Sequence, residues 1–90
     1  MIRFHILVSG RVQGVGYRYF TRENAEKYNC TGWVKNLPDG RVEAEIQGQE
    51  DNILQFLSVL RKGPAFGYVI DIVRRDIPLE EKEKRFKIRY

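Results

Sequence analysis

The junction between an alternating strand and a glycine-rich stretch constrains this chain most. Ile2, Phe4, Ile6 and Val8 alternate with Arg3, His5, Leu7 and Ser9, the period of a strand with one face in a core. The run GRVQGVGYR follows from Gly10 to Arg18, and beyond it the apolar positions recur at three- to four-residue steps, so the order is strand, turn, helix start. Three glycines, Gly10, Gly14 and Gly16, open backbone conformations closed to other residues and let successive N–H groups face one concavity beside a helix N-terminus. That arrangement suits an anion. Arg18 supports it: a cation in the first turn opposes the helix dipole, and a bound phosphate removes the conflict while accepting the guanidinium fork in a bidentate way.

Further along, Tyr17, Phe20 or Thr21, Ala25 and Tyr28 form the buried stripe of a first helix, with Asn29 at its end. Residues 31–36 and 41–47 read as two antiparallel strands meeting at Asp39-Gly40, with Val42, Ala44 and Ile46 inward. Ile53, Phe56, Leu57 and Leu60 mark a second helix from Glu50 to Lys62, opened by Glu50 and Asp51 and closed by Arg61, Lys62 and Gly63-Pro64. Residues 68–75 alternate again, with Tyr68, Ile70 and Ile72 on one side, and a charged connection leads to a short last strand around Phe86, Ile88 and Tyr90. The order βαββαβ plus a short C-terminal strand predicts a ferredoxin-like α+β sandwich, with two helices on one face of a mainly antiparallel sheet, as a single domain over residues 1–90.

Several chemistries fail on their spacing. A nucleotide-binding P-loop needs Lys followed by Ser or Thr where this run ends in Gly16-Tyr17-Arg18, and a dinucleotide fingerprint needs a third glycine where Tyr19 stands. A cysteine phosphatase loop needs an arginine six places after its cysteine, and Asn36 holds that place relative to Cys30. Cys30 therefore reads as a small core residue and His5 as a half-exposed strand residue. No His, Cys, Asp and Glu cluster has metal-ligand spacing, so a metal is not implied.

The net charge of +4 is uneven: residues 1–73 hold nine Lys and Arg against eight Asp and Glu, and residues 74–90 hold seven against four. The tail's excess is expected on solvated strand residues rather than in a site. No strand carries the basic and aromatic order of an RNA-recognition domain, and Glu43 and Glu45 on the outward side of the third strand would repel a nucleic-acid backbone, so no nucleic-acid partner is expected. No apolar run approaches the roughly 20 residues of a membrane span. With a lone cysteine and no secretory signal pattern, the chain is expected to be a cytoplasmic monomer without a membrane partner.

Taken together, GRVQGVGYR, GWVKN (Gly32 to Asn36), DGRVE (Asp39 to Glu43) and Gly63-Pro64 resemble the acylphosphatase family over essentially the whole chain, with Tyr17 where that family usually has Phe and Cys30 where it often has Leu. The resemblance implies hydrolysis of acyl phosphates to carboxylate and inorganic phosphate with no metal and no cofactor. It implies a phosphate cradle built from the backbone N–H groups of Gln13, Gly14, Val15, Gly16, Tyr17 and Arg18 with the Arg18 side chain, and a water oriented by Asn36.

Physical chemistry allows so small a site. The leaving carboxylate has a conjugate acid of pKa about 4 and departs without a proton donor. What remains is to spread phosphoryl charge over fixed donors and to align water in line with the departing oxygen. An asparagine is no base, but its carbonyl accepts from water while its NH2 donates.

Overall fold

The computed structural model describes residues 1–90 and contains β1 (Ile2–Arg11), α1 (Tyr17–Lys27), β2 (Thr31–Asn36), β3 (Val42–Gly48), α2 (Glu50–Lys62), β4 (Tyr68–Asp76) and β5 (Phe86–Ile88). The strands form one sheet in the order β4-β1-β3-β2-β5, antiparallel throughout except for the β2–β5 pair. This is the ferredoxin-like sandwich: both helices cover one face of the sheet. The core joins Phe4, Ile6 and Val8 of β1 and Val42, Ala44 and Ile46 of β3 to Tyr17 and Ala25 of α1 and Ile53, Phe56, Leu57 and Leu60 of α2. No helix is long and apolar enough to cross a membrane.

Of the two candidates for the α1 stripe, Thr21 is the buried one, because its hydroxyl donates to the Tyr17 carbonyl at 2.7 Å and so enters the core with its polar group satisfied. Asn29 closes the helix in the left-handed region, at φ 55°, and donates its N–H to the Glu26 carbonyl. The second helix begins and ends where the charges at its termini and Gly63 place it.

Edge strand β4 departs from its alternating pattern. The register to β1 shifts between Ser9, opposite Asp71, and Gly10, opposite Val69, so Ile70 is the extra residue of a bulge. Ile72 stays buried while Ile70 is 72% exposed. Gly10 is part of this bulge: its φ is 129°, and a Cβ there would collide with the Tyr68 carbonyl. It thus serves strand pairing rather than the anion cradle, which keeps Gly14 and Gly16.

The uncovered face of the sheet is crossed by the connection from Ile77 to Arg85. Buried Arg3 donates to Glu83 at 2.7 Å and to Glu45 at 2.9 Å, and Gln47 exchanges two hydrogen bonds with the Glu80 backbone at 2.8 and 3.1 Å. The buried cation is thereby paired on both sides. This strap delivers β5 to the free edge of β2, where Gly32 donates to Arg85 and Arg89 donates to Val34.

Candidate active site

The β1–α1 loop folds around Gly14 and Gly16, at φ 74° and 77°, where the left-handed backbone and not crowding demands glycine: a Cβ at either would meet nothing within 4 Å. Gly16 is the residue before the helix, and no side chain caps α1. The first helical N–H to find a partner is that of Phe20, on the Gly16 carbonyl at 2.9 Å. The amides of Tyr17, Arg18 and Tyr19 therefore lie in the first turn without an intrahelical acceptor, at the positive end of the dipole and with no acidic residue in that turn.

These amides open onto a cavity of about 290 Å³ lined by Gly14, Gly16, Arg18 and Asn36, and closed by Tyr19, Arg22, Ile88 and Tyr90. Arg18 has no acidic partner. Its guanidinium is instead held by the end of the chain, donating to the Arg89 carbonyl at 3.4 Å and lying 4.6 Å from the centroid of the Tyr90 ring. A cation fixed by a carbonyl and a π-face keeps its charge and donors for an anion.

Asn36 reaches the cavity from the last position of β2, opposite Val42. Its Oδ1 is buried and has no hydrogen-bond partner. An orphaned buried acceptor costs about 1–3 kcal/mol, and such exceptions concentrate where a ligand or water supplies the missing donor.

The side chain of Gln13 brings the two halves together. Its Nε2 donates to the Leu37 carbonyl at 2.7 Å and to the Arg41 carbonyl at 2.9 Å, fastening the anion loop to the five-residue turn that directly follows Asn36. Gln13→Ala should leave the loop amides intact while removing both ties, each worth about 1 kcal/mol. Misplacement of Asn36 should lower kcat about ten- to hundredfold. Heat protection by inorganic phosphate, read by thermal denaturation, should survive in that variant.

Tyr17 turns its hydroxyl away from the cavity, donating to the Leu60 carbonyl at 2.9 Å and tying α1 to the end of α2; burial pushes its pKa upward. Cys30 is a buried thiol that burial pushes to about 11, and His5 bonds Glu43 at 2.8 Å on the uncovered face, so neither belongs to the cavity. Both raised groups are neutral in the fold and ionise more easily once unfolded. Stability should thus hold up to about pH 9, the ordinary thiol value, and fall as pH rises towards about 11. Urea midpoints measured from pH 7 to 11 check the sign, and Cys30 should resist alkylation at pH 8 in the native protein.

Of the residues that sequence reasoning named, the structure brings Gly14, Gly16, Tyr17, Arg18 and Asn36 to one cavity, while Gln13 and Val15 do not line it. It adds Arg22, Ile88 and Tyr90. Arg22 carried a usable signal, standing one turn after Arg18 on the same helix face. The tail did not: Ile88 and Tyr90 form part of the cavity wall and the Arg89 carbonyl and Tyr90 ring hold Arg18, while the tail's cationic side chains stay exposed and line no part of this cavity.

Known proteins match this chain throughout. The acylphosphatase family model covers residues 4–88. The chain is 50% identical over 90 residues to an acylphosphatase of Clostridium beijerinckii, covering all of both chains, and 51% identical to one of Clostridium acetobutylicum, covering all of this chain and 99% of the relative. The crystal structure of acylphosphatase from Bacillus subtilis superposes with a TM-score of 0.95 at 42% identity, over 100% of each chain. A family model spanning nearly every residue, relatives alike over their full length and a shared fold together place this chain in the acylphosphatase family.

Proposed function

We propose that this chain performs the acyl-phosphate hydrolysis of its family by holding the phosphate on Arg18 and the loop amides from Gln13 to Arg18 while Asn36 orients the attacking water. The observation that carries the reading is the unpartnered Oδ1 of Asn36 at the same cavity as a guanidinium with no acid and an uncapped helix start. An acyl phosphate and the attacking water bring what each lacks: oxygens for the amides and the guanidinium, and an O–H that donates a hydrogen bond to the Asn36 carbonyl.

In this reading the phosphoryl charge that grows in the transition state is spread over donors already fixed by the fold, so little reorganisation is needed as the bond breaks. Water attacks phosphorus opposite the departing carboxylate, which leaves as its anion; the products are that carboxylate and inorganic phosphate. One core joining both helices to the sheet supports a single domain over residues 1–90, and a buried free thiol accords with the cytoplasm.

Release of carboxylate and phosphate from benzoyl phosphate, followed in EDTA, tests the reading. Sustained turnover is expected. A protein that binds phosphate yet releases no product would make the cavity an anion sensor.

A further inference from the structure

Beyond the cavity, the five cations Lys82, Lys84, Arg85, Lys87 and Arg89 surround a groove of about 290 Å³ on the opposite face of the sheet, with Trp33 on its wall. Alternation along β5 separates the two places: Ile88 and Tyr90 face the cavity of Arg18, and Lys87 and Arg89 face the groove. None of the five has an acidic partner within 4 Å, and all are exposed. Glu83, which also lines the groove, and Glu45 are engaged on Arg3, and Glu43 on His5 and Lys35; Glu80 and Glu81 precede Lys82 on the strap and line no part of the groove.

We propose that this groove binds a short oligophosphate chain, free or carried by a nucleoside triphosphate. Charge decides the class. Lys87 of β5 and its flanking residues Arg85 and Arg89 line the groove together, and Lys82 and Lys84 flank Glu83 on the strap, so a ligand with one charge would leave most of the mutual repulsion standing. A tri- or tetraphosphate answers it in a space of this size. The strap that forms one wall is already fixed through the Arg3–Glu83 pair and the Gln47–Glu80 bonds, so binding orders little new backbone.

Shape and aromatics speak against a long polymer. Trp33 is only 8% exposed, with the Arg89 guanidinium 4.4 Å from its ring centroid, so no aromatic face is open for base stacking. A nucleic-acid backbone leaving the groove across the sheet would meet Glu45 and Glu43. The Arg89 guanidinium, oriented by the ring beneath it, keeps its edge donors for phosphate oxygens.

Trp33 is the one tryptophan of the chain and reports on its own site. Titration with tripolyphosphate at low salt should change its emission saturably, and added salt should weaken the effect. The same response is expected in Arg18→Ala, which keeps this site distinct from the phosphate cradle. Lys84→Glu with Lys87→Glu, both at exposed positions, should weaken binding at least about tenfold while acyl phosphate turnover persists. Equal affinity for tripolyphosphate and ATP assigns the ligand to the phosphate chain alone, and tighter ATP binding assigns it to a nucleotide.

Three results would overturn the proposal. They are no saturable signal by fluorescence or calorimetry in the wild type, unchanged affinity in the doubly reversed variant, and tighter binding of a single-stranded oligonucleotide or an acidic peptide than of tripolyphosphate.

Discussion

Arg18→Ala is expected to lose phosphate binding and turnover together. The guanidinium is the one charged donor in the first turn of α1, and no acid shares that turn. A charge-assisted hydrogen bond contributes about 1.5–3 kcal/mol, and a donor aimed at developing charge about 3–4 kcal/mol, so turnover should drop at least about a hundredfold. Stability should move the other way: removing a cation that opposes the helix dipole relieves about 0.3–1 kcal/mol in the ligand-free protein. The signature is therefore a melting temperature unchanged or slightly raised without phosphate, and no further rise when phosphate is added. Arg18→Lys should recover only part of the binding, because an ammonium lacks the planar fork. Turnover within tenfold of wild type, with phosphate still protecting Arg18→Ala against heat, would remove Arg18 from the site.

Asn36→Ala is expected to separate binding from chemistry. The loop amides and Arg18 remain, so inorganic phosphate should still raise the melting temperature. Turnover should fall about a hundred- to a thousandfold, the usual cost of losing one positioned polar group in a preorganised site. The ligand-free variant should also be more stable than wild type, because it no longer buries an unpartnered acceptor. That trade of stability for activity is common where a polar group waits for substrate. Asn36→Asp adds a negative charge beside the phosphate and should weaken binding as well. Thermal denaturation with and without phosphate, beside steady-state kinetics, reads all of these. If Asn36→Ala lost phosphate protection as fully as Arg18→Ala, the two roles would not be separate.

Much of the site was legible because its chemistry is local. Gly14, Gly16 and Arg18 lie within five consecutive residues, and the positive φ at each glycine follows from a turn that must end in an uncapped helix. Asn36 was legible only through the motif around it, since a polar residue before a turn is ordinary by itself. The Gln13 side chain was missed in its clamping role: its partners are the carbonyls of Leu37 and Arg41, and backbone acceptors leave no trace in side-chain patterns. Tyr90 was missed because nothing within the tail marks which strand edge it will join. β4 was read as one unbroken alternation with Tyr68, Ile70 and Ile72 on one side, since one extra residue on an edge strand reverses the alternation without altering composition.

The sequence by itself determined the elements, their order, the burial stripe of each helix and the anion loop, because periodicity, capping and glycine conformations act over a few neighbouring residues. Tertiary structure alone decided which distant groups meet. The Arg3–Glu83 strap and the parallel β2–β5 pairing bring the chain's end under Arg18 and collect five tail cations in one groove, while the Gln13 clamp sets Asn36 beside the loop. These placements depend on closing long stretches of chain around a common core, a balance of burial against entropy that no local pattern contains.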